Sequence, residues 1–102
     1  MKKTRVTLLT VAIIGSGLAL PASAQDANLG RNLAASCAGC HGIAGKSVTG
    51  MPPVAGQPKE NLMRTLKDFK DGKRPATIMH QIAKGYTDEQ LELIAAYFAA
   101  QK

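Results

Sequence analysis

Aromatic residues are scarce in this 102-residue chain. There is no tryptophan, and only Phe69, Tyr86, Tyr97 and Phe98 are available to fill a core. No segment alternates apolar and polar residues as a half-buried strand would, so sheet-based folds have no support. No internal repeat or low-complexity tract is visible, which leaves one ordinary domain. No G-x-G-x-x-G follows a strand, so the chain has no flavin-binding fingerprint of its own. The longest apolar run, Val6–Leu20, is shorter than the roughly 20 residues a spanning helix needs, and Thr, Gly and Ser interrupt it.

What is present at the N-terminus has the order of a secretory leader. "MKKTR" is basic, the apolar run follows, and "PASAQ" places small residues at Ala22 and Ala24. The expected organisation is a cleaved signal peptide, residues 1–24, and one domain, residues 25–102. A short lysine-bearing leader suggests bacterial export to the periplasm, and the mature chain is expected to have no membrane span. A domain of that size has a marginal core, so a cofactor, metal or disulfide should reinforce it.

Removing Lys2, Lys3 and Arg5 takes the formal charge from +6 to +3. The remainder is uneven. Residues 59–84 carry Lys59, Arg64, Lys67, Lys70, Lys73, Arg74 and Lys84 against Glu60, Asp68 and Asp71. Residues 85–102 carry Asp88, Glu89 and Glu92 against Lys102. Nucleic acid is not expected in a periplasmic compartment. A basic face for an acidic protein partner is one reading of the run, and a solvated surface is the other.

The pattern is helical. "DANLGRNLAASCAGC" places Leu29 and Leu33 at i, i+4 among alanines. "HGIAGKSVTGMPPVAGQP" has too many glycines and prolines for a long helix and reads as loop. "PKENLMRTLKDFKDG" is a second helix, with Pro58 at its start, Leu62, Leu66 and Phe69 on one face, and Gly72 at its end. "KRPATIMHQIAKG" holds a short helix ending at Gly85. In "TDEQLELIAAYFAAQK", Thr87 and Gln90 fit a capping box, and Leu91, Ile94, Ala95 and Phe98 form the apolar stripe. The expected fold is all-α.

The chemistry sits in "SCAGCHG", which holds both cysteines, Cys37 and Cys40, beside His41. A disulfide between them would close a tiny loop and stabilise little. A redox dithiol wants a strand before its C-x-x-C. A structural zinc needs four ligands, and only Cys37, Cys40, His41 and His80 are available, two of them sequence neighbours. C-x-x-C-H is also the attachment signature of c-type haem. Cysteines about one helical turn apart can reach two vinyl groups on one porphyrin edge, and His41 then comes under the iron. A flat apolar ring would supply the missing core. One covalent haem c through Cys37 and Cys40, with His41 on the iron, is therefore expected.

A second axial ligand would come from far along the chain. Met51 adjoins Pro52 and falls on the His41 side, Met63 reads as core, and Met79 and His80 precede or open a short helix. Adjacent helical side chains diverge by about 100°, so only one of Met79 and His80 can face iron. Met79 is favoured, giving the His/Met pair that raises potential, against core packing of Met79 or an empty sixth site.

The pieces "CAGCHG", "PPVAGQ", "FKDGKRPATIM" and "YTDEQLELIAAYFA" together resemble a class I c-type cytochrome across residues 25–102. Within that class the chain is most similar to the haem domain of the cytochrome subunit of flavocytochrome c sulfide dehydrogenase. The resemblance implies about four helices packed around one haem. It places the carbonyl of Pro52 where the proximal imidazole N–H finds its acceptor, and a ligating histidine does need its second nitrogen fixed. It also puts Gly30 and Tyr97 at the crossing of the first and last helices, and Tyr86 near the haem. Some sulfide dehydrogenase subunits carry two haem domains, whereas this chain has one C-x-x-C-H.

The function so implied is periplasmic one-electron transfer with no autonomous catalysis. Its partners are redox proteins, foremost a sulfide-oxidising flavoprotein. A free diffusible carrier to a terminal oxidase or reductase is the alternative. A haem-based gas sensor, which requires an open sixth site, is a weaker one.

Overall fold

The computed structural model describes residues 28–102, and the expected leader and its cleavage site lie outside them. The described chain is helical. Helix α1 (Leu29–Ala34) tightens into a 3-10 turn (Ala35–Cys37) and continues as α2 (Ala38–His41). After a 3-10 turn (Ile43–Gly45) and a long loop come α3 (Lys59–Lys70), α4 (Met79–Lys84) and α5 (Asp88–Ala99). With α1 and α2 taken as one bent unit there are four helical units, and no strand occurs among the described residues.

Each helix ends for a local reason. The stretch through the cysteines stops at Gly42, whose φ of 84° is open to glycine and strained for other residues. The chain then folds back sharply: Ser47 N donates to His41 O at 2.7 Å, and a Cβ on Gly42 would lie 2.7 Å from Ser47 N. Helix α3 starts from Pro58, which is extended at ψ 135°, and closes at Asp71, whose N–H returns to Lys67 O at 2.8 Å. Helix α5 opens on the expected capping box. Gln90 N donates to Thr87 Oγ1 at 3.1 Å, and Thr87 N donates to Gln90 Oε1 at 2.9 Å. That reciprocal pair satisfies donors the helix cannot.

Helix α5 is the spine, packing against both α1 and α3, while α3 also packs on α4. Its stripe Leu91, Ile94, Ala95 and Phe98 is fully buried and joins Ala34 and Leu62. Leu91 is the largest side chain that is completely enclosed. The crossing of α1 over α5 depends on Gly30, where an added Cβ would meet Leu93 O at 3.0 Å. The close approach is thus to the backbone of Leu93, one turn before Tyr97. Tyr97 packs edge-on against Phe98, with ring centres 5.3 Å apart.

The basic run is not one free face. Lys59 pairs with Glu92 at 2.9 Å, and Lys67 and Lys70 both pair with Asp88 at 3.0 Å. These contacts tie α3 to α5. The Lys67 ammonium, followed by that of Lys70, holds the Asp88 carboxyl below its ordinary range, and Asp88 in turn raises Lys67. All three bridges face solvent, so each adds little by itself.

Candidate functional site

The end of α2, the loop after it, α3, α5 and the start of α4 enclose a cleft of about 240 Å³. Its walls are mostly apolar. Helix α3 gives Leu62, Leu66 and Phe69, helix α5 gives Ile94, Ala95 and Phe98, and the loop gives Met51, Pro52 and Val54. Cys37, His41 and Met79 open into it as well. A second, more open groove of about 490 Å³ lies along α3 among charged side chains and holds none of the cysteines or histidines.

The imidazole of His41 is oriented from the loop. His41 Nδ1 lies 2.8 Å from Pro52 O, and since a carbonyl only accepts, Nδ1 carries the proton. In the neutral imidazole this tautomer turns the Nε2 lone pair away from Pro52, as metal binding requires. The loop bearing Pro52 is itself anchored. Gly45 O accepts from Val54 N at 2.9 Å and Ala55 N at 3.1 Å, and Gly56 N donates to Phe98 O at 2.9 Å. The support for His41 is therefore built off α5.

Both cysteines are unpaired thiols, so the disulfide reading has no support. Cys37 faces the cleft, and burial pushes its thiol up from the ordinary value against a smaller opposing effect of Ser36. Cys40, three residues on, is exposed and does not line the cleft. Among the described residues, no three or more His, Cys, Asp or Glu side chains come together as a metal-binding group.

The axial candidates separate. Met79 lines the cleft and His80 does not; the Nδ1 of His80 is buried without a hydrogen-bond partner. Met51 lines the cleft beside the residue that holds His41. Met63 packs on the core and borders the other groove, as a filler would. Cys37, His41, Pro52 and Met79 thus share one apolar cleft, although Met79 lies 38 positions after His41.

Two features have little signal in the sequence. Ser36 donates to Leu33 O at 3.2 Å and accepts a short hydrogen bond from the Tyr86 hydroxyl, which joins the cysteine segment to the turn before α5. Tyr86 is half-buried against the core, so its role in contact is to brace that segment. Arg74 also lines the cleft, although in the sequence it is one member of a charge run. Its one distinguishing mark is the following Pro75.

An apolar slot walled by aliphatic and aromatic residues, with a thiol, an oriented imidazole and a thioether opening into it, fits a flat macrocycle with a central iron. Known proteins agree. The protein-family model for cytochrome c matches residues 27–102. The cytochrome subunit of sulfide dehydrogenase from Chlorobaculum tepidum is 48% identical over 69 residues, covering 68% of this chain and 63% of that protein. Cytochrome c4 of Pseudomonas aeruginosa is 40% identical over 104 residues, all of this chain and 50% of that one. The thiosulfate dehydrogenase electron acceptor of Stutzerimonas stutzeri is 37% identical over 67 residues, covering 62% of this chain and 31% of that protein. The chain spans half to less than two thirds of the length of the first two. The match over residues 27–102 embraces the cleft and every side chain that lines it, and on that ground the chain belongs to the cytochrome c family, all-α proteins that carry covalent haem c and transfer electrons.

Proposed function

We propose that this chain is a periplasmic monohaem cytochrome that accepts single electrons from a sulfur-oxidising dehydrogenase. The observation that supports it best is the 2.8 Å contact of His41 Nδ1 with Pro52 O inside an apolar cleft shared with Cys37 and Met79. When bound, the haem would supply a one-electron ferric–ferrous couple, whose potential a His/Met ligand pair would raise. Cys37 and Cys40 would anchor it as thioethers, His41 would ligate through Nε2, and Met79 would supply the second iron ligand. Pro52 orients the His41 ring through its carbonyl. The wall from α3 and α5 keeps water from the ring.

The leader-like segment at residues 1–24 supports periplasmic export. No described helix is long and apolar enough to cross a membrane. A sulfide-oxidising flavoprotein is the partner favoured by the relative named as a sulfide dehydrogenase subunit. A free carrier is the second reading, supported by the relative named as a thiosulfate dehydrogenase electron acceptor. Gentle purification at low salt, with oxidised and reduced absorption spectra, tests all of this. Haem bands with the weak far-red Met–iron band are expected in the oxidised protein. Co-eluting flavin would assign the flavoprotein partnership, and haem alone would assign the free carrier. Carbon monoxide binding to the undenatured reduced protein would overturn Met79 ligation.

A further inference from the structure

The loop after His41 carries the two most exposed large apolar side chains of the described residues. Ile43 is 88% and Val48 91% exposed, and neither lines the cleft or the groove along α3. They follow Gly42 and Ser47, whose backbones lie against each other, so both leave from one pinch in the chain. Ser47 N donates to His41 O at 2.7 Å across that pinch, and Lys46 N donates to Ile43 O at 3.3 Å within the loop. The course of the loop is costly. Ala44 at φ 56° and Ser47 at φ 39° occupy the left-handed region that favours glycine, and the Ser47 hydroxyl is buried without a partner. A loop that holds such strain and still presents two aliphatic side chains to water is shaped for a contact outside the chain.

Charge indicates what fits the loop. Residues 27–59 contain no Asp or Glu. Lys46, between the two aliphatic residues, is exposed and makes none of the ion pairs of the described chain. The basic run from α3 onward is largely engaged by contrast. Lys59, Lys67 and Lys70 pair with α5, Arg64 donates to Asn61 Oδ1 at 2.8 Å, and Arg74 lies over the Phe69 ring. The loop holds no aromatic residue, the type that seats a protein face in a bilayer interface, so a protein socket suits it better than lipid. We propose that Ile43, Lys46 and Val48 form the knob that docks the dehydrogenase, received by an apolar socket with carboxylates at its rim. A loop fixed before contact loses little entropy on binding, and Lys46 aligns the approach. Cys40 is exposed three residues before Ile43, so the contact adjoins one cysteine of the C-x-x-C-H. The inference rests on the dehydrogenase partnership proposed above and names the surface that would make it.

The test uses the mature holoprotein as electron acceptor for the Chlorobaculum tepidum sulfide dehydrogenase freed of its own cytochrome subunit. The readouts are KM and kcat for the cytochrome at several salt concentrations. The double variant Ile43→Ser, Val48→Ser is expected to raise KM by about tenfold or more, since burial of one aliphatic side chain is worth about that factor. Its kcat, midpoint potential and urea stability are expected at wild-type values. Lys46→Gln is expected to raise KM less and to flatten its salt dependence. Lys73→Gln is expected to change neither. An unchanged KM in the double variant would overturn the proposal, as would equal rises from Lys46→Gln and Lys73→Gln. If the double variant does not mature, Val48→Ser alone decides on the same terms. Sedimentation with phosphatidylglycerol vesicles that the double substitution abolishes, with KM unmoved, would assign the loop to lipid and overturn the proposal. No electron transfer to the unsubstituted protein would instead sink the dehydrogenase partnership itself.

Discussion

Leu91 is 1% exposed and is the largest side chain that the described fold encloses completely. It lies on α5 and does not line the cleft, so its packing can be perturbed without touching the donor set. Leu91→Ala removes three carbons from the core. Transfer alone costs about 2.4 kcal/mol at roughly 0.8 kcal/mol per buried carbon. The cavity adds to that, since leucine-to-alanine changes in packed cores cost about 2.7–5 kcal/mol in total. A loss of about 3 kcal/mol is expected, a large share of the roughly 5–15 kcal/mol that holds a typical domain together. Urea unfolding of the holoprotein, followed by far-ultraviolet circular dichroism and by the haem band, measures it. Both probes should move together, with the native spectrum of the variant unchanged. Ile82→Ala on α4, where the side chain is 36% exposed, serves as the control and should cost under about 1 kcal/mol. A loss below about 1 kcal/mol for Leu91→Ala would refute the assignment of α5 as the spine.

Asp88→Asn should destabilise the protein at neutral pH and not in strong acid. The Asp88 carboxyl is held below its ordinary 3.8, so its contribution is complete above that value and disappears as pH falls through the lowered one. Urea midpoints for wild type and variant should converge at low pH, and added salt should narrow the gap at pH 7. Met79→Ala should keep covalent haem, lose the far-red band, lower the midpoint and admit carbon monoxide; an unchanged midpoint would remove Met79 from the iron. Tyr86→Phe and Ser36→Ala, combined in a double-mutant cycle, should show a coupling of about 1 kcal/mol for their hydrogen bond. Strictly additive unfolding energies would mean the contact does not hold the cysteine segment.

Local patterns are legible in the sequence. The capping box at Thr87 and Gln90 and the stripe from Leu91 to Phe98 lie within one helix, where spacing alone specifies the geometry. The stop at Gly42 and the loop to Pro58 follow from glycine and proline content. The cysteine pair and His41 are one contiguous signature, and the Pro52 carbonyl lies 2.8 Å from His41 Nδ1. Contacts between distant segments are less legible. The basic run resembles a partner-facing patch because its counter-charges, Asp88 and Glu92, lie on another helix. The resemblance puts Gly30 where the first and last helices cross, but that the backbone it approaches is that of Leu93 is visible only in the fold. Arg74 is hidden among neighbouring cations, since sequence does not show which member of a charge run borders the cleft. The 3-10 turn at Ala35–Cys37 has no composition cue; the Ser36 hydroxyl bonded to Leu33 O accompanies it.

The acceptor that aims His41 is an atom every amino acid possesses. A substitution at position 52 cannot delete a main-chain oxygen; it can only alter how stiffly the loop presents it. Mutational tolerance at the site is therefore displaced from the residue that makes the contact to those that shape the path leading to it. Gly42 carries that sensitivity, because any side chain there drives into the backbone of Ser47. Heritable change reaches the imidazole through the course of the main chain, and a lineage could exchange the residue at 52 while keeping the same ligand geometry.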